Sequence, residues 1–244
     1  MKKIVTLFIS VILVLSVFGA CGLKDKLNGT DANGKKYQKY VKGLMDGSYK
    51  GDINAYMSVC DASKEDAQSN YDNCILYYVR SILYAFGFED YTTVPKAVVD
   101  NYTEFVKTMI KETKYSVDKG EKKDKKWFVT IHVSPMNIFT DKAMEEINAY
   151  FEDFGEKYNE ETTADMTEDE YNNMVVDYLN DLLDILKKHF ENREYKDEVS
   201  KELEIKVDDK TYSVDDSLWF EVDDLVFYFG EESAESSGSL SAEQ

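Results

Sequence analysis

The feature that most constrains the fold of this chain is a change in the spacing of its apolar residues, which occurs twice. Between residues 36 and 112, apolar side chains recur with the period of one face of an α-helix. From Tyr115 to Val133 they alternate with polar residues, as on one face of a β-strand. The same change recurs between residues 141 and 214. This order predicts helices followed by a β-hairpin, twice over.

Capping residues and glycines set the limits of the predicted helices. Thr167 and Glu170 have the spacing of a capping box, in which side-chain oxygens accept bonds from backbone amides at a helix start. Gly47 and Gly51 are expected to break or bend the first helix. A short closing helix is expected from Leu218 to Phe229. The main predicted helices cover residues 36–58, 64–87, 94–112, 141–158 and 167–193.

Two hairpins lie between and after these helices. The first pairs Tyr115–Val117 with Trp127–Ser134, and the second pairs Leu203–Val207 with Tyr212–Val214. A single hairpin is marginally stable, but two hairpins joined in one sheet give the helices a surface on which to pack. The predicted fold class is therefore α+β, with about five amphipathic helices on a small antiparallel sheet made of two β-hairpins.

The first residues have the layout of an export signal. Lys2 and Lys3 precede an apolar run from Ile4 to Phe18, which is followed by small residues and Cys21. The run is shorter than the ~20 apolar residues that span a bilayer, although an uncleaved signal anchor stays open as an alternative. We expect cleavage before Cys21 and attachment of lipid to its sulfur.

Composition divides the rest of the chain. We predict a lipoprotein signal peptide at residues 1–20, a lipid-anchored flexible tether at 21–36, an α+β globular domain at 37–229 and a disordered acidic and serine-rich tail at 230–244. The net charge of −19 excludes binding to nucleic acid through its phosphates. Anionic headgroups would also repel so acidic a chain, so we expect membrane contact from the anchor rather than from a basic face.

Two further cysteines, Cys60 and Cys74, leave two alternatives open. Exported proteins form disulfides, but these residues flank and occupy one predicted helix, which would place them roughly 16 Å apart. A disulfide needs Cα atoms within about 7 Å, so a bond requires a bend before Cys60. The other alternative is two buried thiols.

The sequence contains no motif that predicts catalysis. The two histidines, His132 and His189, lack metal ligands at the usual spacing, and no Gly-x-Ser-x-Gly or glycine-rich phosphate loop occurs. Pairs of acidic residues are expected by chance in a chain with 48 of them. We therefore predict no catalytic residue, no cofactor and no metal ligand. These acidic pairs are Asp208–Asp209, Asp215–Asp216 and Asp223–Asp224.

Several segments resemble those of bacterial lipoproteins. Val17–Cys21 resembles a lipobox, with Phe18 where leucine is usual, and Tyr40–Gly51 and Val129–Pro135 resemble segments of uncharacterised surface lipoproteins of Gram-positive anaerobes. The resemblance implies a domain similar to nuclear-transport-factor-2-like α+β folds, a diacylglyceryl group with palmitate-type chains on Cys21, and a location on the outer face of the cell membrane. It implies no catalytic residues.

We therefore predict a membrane-anchored extracytoplasmic binding or interaction domain, whose ligand or envelope-protein partner the sequence does not identify. The alternative is a hydrolytic enzyme that acts on envelope or extracellular material. That alternative requires a cleft in which His132 or an acidic pair lies at hydrogen-bond distance from a Ser, Tyr or Lys.

Overall fold

Helices and strands follow one another in the predicted order. The computed structural model describes residues 21–22, 30–208 and 211–228. The first half comprises β1 (Cys21–Gly22), α1 (Thr30–Lys50), α2 (Ile53–Val59), α3 (Lys64–Ala85), a 3₁₀ turn (Tyr91–Thr93), α4 (Lys96–Ile110), β2 (Lys114–Val117), β3 (Glu121–Lys123), β4 (Lys126–Ser134) and β5 (Met136–Asn137). The second half comprises α5 (Asp141–Lys157), α6 (Glu160–Thr163), α7 (Glu168–Phe190), β6 (Glu194–Tyr195), β7 (Val199–Asp208), β8 (Thr211–Ser213), α8 (Asp216–Val226) and β9 (Phe227–Tyr228).

The two predicted hairpins join in one antiparallel sheet. Its strand order is β1-β8-β7-β4-β2, and β3 also pairs with β4. The junction is the antiparallel pairing of β4 with β7, from Trp127 opposite Ile205 to Val133 opposite Val199. The prediction of an antiparallel sheet is therefore confirmed. A second sheet of two-residue strands, in the order β6-β5-β9, was not predicted.

The inner face of the sheet and the apolar faces of the helices form one core. Val129, Ile131 and Val133 alternate along β4 and are fully buried. Buried tyrosines contribute large apolar rings and satisfy their hydroxyls with hydrogen bonds. Tyr102 in α4, for example, donates to the backbone carbonyl of Leu179 in α7 at 2.7 Å.

The described residues form eight α-helices, more than the five main helices predicted, and α8 corresponds to the short closing helix expected from Leu218 to Phe229. The first predicted helix is split at Gly51, whose φ of +65° favours glycine. Gly47, in contrast, lies inside α1, so the expected break there was wrong. A Cβ on Gly47 would lie 2.7 Å from the Cβ of Tyr56, so this glycine allows α2 to pack closely against α1.

Parts of the predicted tether at 21–36 form secondary structure. Cys21 and Gly22 are paired with β8, and α1 already begins at Thr30. The amide of Gly120 donates to the carbonyl of Gly34 at 3.0 Å, an approach that a side chain on Gly34 would block. Gly34 thus permits a close backbone contact with Gly120, in a segment whose composition predicted flexibility.

Three predicted segments lie outside the described residues: the signal peptide at 1–20, residues 23–29 of the tether, and the tail at 230–244. Among the helices of the described ranges, none is long and apolar enough to cross a membrane.

Candidate functional site

The predicted lipid-attachment residue lies at the edge of the large sheet. Cys21 is opposite Tyr212, and Gly22 is opposite Thr211, in the antiparallel pair of β1 and β8. Strand β8 pairs in turn with β7, where Val207 is opposite Tyr212. The backbone of Cys21 therefore lies in the edge strand of this sheet.

The other two cysteines are thiols, so the disulfide that the sequence left open is not formed. Cys60 is buried at the C-terminal end of α2, and Cys74 is partly buried in α3. Burial raises the pKa of the Cys74 thiol well above its ordinary value, and the nearby charge of Asp223 adds to this effect. This arrangement corresponds to the second of the two alternatives that the sequence left open, two thiols packed in the interior.

Four polar side chains meet on the outer face of the sheet and form what we call the His132 cluster: Asp118, His132, Glu198 and Ser200. His132 Nδ1 is 2.8 Å from Ser200 Oγ, and His132 Nε2 is 2.9 Å from Asp118 Oδ2. Glu198 Oε1 is 3.6 Å from Nδ1. The strand register brings these side chains together, because His132 in β4 is directly opposite Ser200 in β7.

The electrostatics of the His132 cluster favour the charged imidazole. The hydrogen bond to Asp118 raises the pKa of His132, and the charges of Asp118 and Glu198 act in the same direction. In Ser-His-Asp hydrolases the serine lies on Nε2 and the acid on Nδ1, which is the reverse of the arrangement here. The carboxyl side chains of Asp118 and Glu198 are each 59% exposed. Water therefore screens the charges that would have to stabilise a transition state.

A groove about 510 Å³ in volume runs between α5 and α7, and we call it the α5–α7 groove. Lys188 and His189 both lie 2.7 Å from Glu146, so that carboxylate is compensated. Asp184 has an exposed contact of 3.3 Å with Lys187. The groove is lined by Glu146, Ala149, Tyr150, Asp153, Asp181, Asp184, Ile185 and Lys188.

Aromatic rings lie beside this groove. Tyr150 donates a hydrogen bond at 3.0 Å to Asp181 Oδ2, which holds its ring at the wall of the groove. Phe154 lies 5.9 Å from Tyr150 and 4.7 Å from Tyr178, measured between ring centroids. All three rings are half-buried. The groove therefore combines several carboxylates, of which Glu146 is paired most closely, with accessible ring surface.

A third group of polar residues surrounds Asp223, in one of the acidic pairs that the sequence attributed to chance. Tyr49 in α1 donates a hydrogen bond to the Asp223 carboxylate, and Tyr78 in α3 donates at 3.0 Å to the Asp223 backbone carbonyl. Burial raises the pKa of Asp223 to about 7, although the bond from Tyr49 lowers it. Sequence reasoning missed this group because burial distinguishes Asp223 from the exposed Asp224 beside it.

Two other acidic residues, Asp215 and Glu170, cap helices. Asp215 accepts from the amide of Ser217 and caps α8, and Glu170 completes the capping box with Thr167 at the start of α7. Within residues 32–208 and 211–228, no three His, Cys, Asp or Glu side chains come together in a way that could hold a metal ion.

Comparison with known proteins gives one informative likeness. No protein-family model matches the chain, and no curated protein matches it in sequence. The crystal structure of ycdA from Bacillus subtilis, a provisionally assigned lipoprotein, matches with a TM-score of 0.50 at 16% identity, over 80% of this chain and 57% of that chain. The chain therefore spans little more than half the length of ycdA. At this identity the match shows a shared fold, and the resemblance to nuclear-transport-factor-2-like domains stays a prediction.

Proposed function

We propose that this chain is a lipid-anchored extracytoplasmic protein whose domain binds a cationic partner in the α5–α7 groove. The observation that carries the proposal is the set of three carboxylates, those of Asp153, Asp181 and Asp184, beside the ring of Tyr150. Lys188, the cation that lines the groove with them, is already bonded to Glu146.

The partner that suits this groove is a segment of polypeptide rich in lysine or arginine. Carboxylates that repel one another attract a cation that enters between them, and this attraction also speeds association. The ring of Tyr150 offers a face for an ammonium or guanidinium group. The ion pair of Asp184 with Lys187 competes only weakly with a cationic partner, because it is exposed and surface ion pairs are weak.

The recognition proposal is tested with a fluorescently labelled oligo-arginine peptide, whose binding is followed by anisotropy. We expect Asp153→Asn combined with Asp184→Asn to weaken binding roughly tenfold, because two attractive charges are removed. The matched control is Asp72→Asn combined with Glu89→Gln, which removes the same charge from α3 and the loop after it. Equal affinity for the groove variant and the control variant would overturn the proposal.

The anchor is supported by the residues before Cys21 and by the fold shared with a provisionally assigned lipoprotein. It is tested by Cys21→Ser in cells, followed by separation of membrane and soluble fractions. We expect the variant to leave the membrane fraction, since two acyl chains give stable binding and their loss removes the attachment. A variant that stays with the membrane would rule the anchor out.

A second candidate function is the hydrolysis of an ester or amide in the envelope, which would have to use the His132 cluster. Its serine and carboxylate lie at hydrogen-bond distance from His132, but on an exposed face of the sheet and not in the cleft that this alternative requires. A chromogenic acetyl ester tests this activity in the purified chain. Activity that is lost in both Ser200→Ala and His132→Gln would support hydrolysis, and activity that survives both changes would exclude this cluster as its source.

A further inference from the structure

A lysine-rich groove lies at the end of β4 and β7 that is level with Cys21 in β1, and we call it the anchor-side groove. It is about 400 Å³ in volume. Four lysines and one carboxylate line it, in a chain whose net charge is −19. The lining residues are Tyr37, Lys122, Lys125, Lys126, Trp127, Glu204, Ile205, Lys206 and Val207.

The register of the strands connects this groove to the anchor cysteine. Cys21 is opposite Tyr212, and Tyr212 is opposite Val207 in the next strand. In β4, Trp127 is opposite Ile205, so the turn at Asp124–Lys125 reaches the level of Val207. Since adjacent strands are ~4.8 Å apart, three strand spacings place Cys21 about 15 Å from this turn.

The charge of the groove is only partly compensated. Lys126 lies 2.8 Å from Glu204, and Lys206 lies 2.6 Å from Asp215. Lys122 and Lys125 have no ion-pair partner among the side chains that the structure describes. Positive charge at one end of the sheet in a strongly acidic domain would attract an anionic surface.

Apolar groups accompany the lysines. Val207 is 47% exposed, and the ring of Trp127 is half-buried in the wall of the groove. Tryptophan favours the boundary between lipid and water, because its ring is apolar and its N–H is polar. Lysine, tryptophan and an exposed aliphatic side chain together match the chemistry of a headgroup layer.

We propose that the anchor-side groove docks the domain on the anionic lipid surface to which Cys21 is attached, an inference that rests on the proposed anchor. Lysines at the surface contribute to binding through headgroup phosphates, and the lipid on Cys21 keeps them within reach of the bilayer. The domain then lies with this end of the sheet against the membrane and its acidic surfaces turned away from it. This proposal differs from the expectation that membrane contact comes from the anchor rather than from a basic face.

The test uses the lipidated chain in vesicles of phosphatidylcholine, with or without phosphatidylglycerol and with a brominated lipid as quencher. Trp127 and the buried Trp219 are the two tryptophans of the chain, so quenching reports on Trp127. We expect quenching that requires phosphatidylglycerol and is lost at high salt. Lys122→Glu combined with Lys125→Glu is expected to lower the docked-to-undocked ratio at least 30-fold, since each surface lysine contributes about 1 kcal/mol.

Lys64→Glu combined with Lys142→Glu is the matched control, because both lysines are exposed near the starts of α3 and α5, away from the groove. We expect this control to quench as the unmodified chain does. Quenching that ignores phosphatidylglycerol, or that falls equally in both variants, would overturn the proposal.

Sedimentation with the vesicles separates this result from the anchor. A chain that sediments with both kinds of vesicle but shows no lipid-dependent quenching keeps its anchor and loses the docking proposal. The Cys21→Ser chain provides the converse measurement at low salt, where it should sediment with phosphatidylglycerol vesicles alone. Binding of free inorganic phosphate by that chain, without sedimentation, would identify an anion site in place of a docking surface.

Discussion

The hydroxyl of Tyr49 in α1 donates a hydrogen bond to the carboxylate of Asp223 in α8. Two adjacent tyrosines of α3 add to this contact, because Tyr78 bonds the Asp223 carbonyl at 3.0 Å and Tyr77 bonds Asp224 Oδ1 at 2.8 Å. Helix α8 is therefore held on α1 and α3 by three hydroxyl groups. The carboxylate of Asp223 is the one ionisable acceptor among them that lies in the interior.

This arrangement predicts how stability changes with pH. Burial raises the pKa of Asp223 to about 7, whereas an unfolded aspartate titrates near 3.9. Between these pH values Asp223 is protonated in the folded chain and ionised in the unfolded chain. The contribution of Asp223 to the free energy of unfolding is therefore largest at low pH and falls as the pH rises to about 7. The free energy of unfolding of the unmodified chain should therefore fall as the pH rises from 5 to 8, and that of Asp223→Asn should not. We expect the difference between the two chains to change by on the order of 2 kcal/mol in favour of the variant over this range.

Urea unfolding of both chains at these two pH values measures the difference. The matched control is Asp224→Asn, which removes the exposed neighbouring carboxylate. A control that shifts as much as the Asp223→Asn variant would show that Asp223 does not titrate in this range.

Two glycines in helices should respond in opposite directions to alanine. A Cβ at Gly47 would lie 2.7 Å from the Cβ of the buried Tyr56, so Gly47→Ala should lower the free energy of unfolding by about 1–3 kcal/mol. At Gly155 in α5 a Cβ would meet nothing within 4 Å, so Gly155→Ala should raise it by about 0.5–1 kcal/mol. Urea midpoints that move in the same direction would contradict the packing of α1 on α2.

The His132 cluster predicts an elevated titration of one imidazole. We expect NMR titration to place the pKa of His132 above its ordinary value, because Asp118 accepts a hydrogen bond from the charged ring. Asp118→Asn should lower this pKa, and Glu198→Gln should lower it less, since Glu198 is 3.6 Å away. An equal effect of the two changes would mean that charge, and not the hydrogen bond, sets the titration.

Because Cys60 and Cys74 lie in the interior, their thiols should react slowly with alkylating reagents in the folded state. In the Cys21→Ser chain, we expect Cys60 and Cys74 to react with a maleimide only after denaturation, because both pack against the core and burial raises the pKa of Cys74. Mass spectrometry counts the labels before and after denaturation. Rapid labelling of the folded chain, or loss of two hydrogens on mild oxidation, would contradict this prediction.

Local patterns explain why much of the fold could be predicted from the sequence. The capping box of Thr167 and Glu170 forms at the start of α7 as expected, because both partners lie within one turn. The alternation from Val129 to Val133 correctly identified the buried face of β4. Strands β5, β6 and β9 contain two residues each, which is too short for any period to be recognised.

The contacts of the candidate sites depend on register and burial, which the sequence does not encode locally. Ser200 is 68 residues from His132, and a shift of β7 by one position would turn it to the other face of the sheet. Asp223 and Asp224 are adjacent and chemically identical, yet they face different environments on α8. Only the packed helices distinguish them.

The pairing of β1 with β8 also determines when the sheet can be completed. Cys21 and Tyr212 are 191 positions apart (212 minus 21), and synthesis delivers the first of them long before the second. Contacts of such long range form late in folding, because the closure of a long loop is costly. The edge of the sheet at Cys21 therefore closes only after nearly the whole domain has been made.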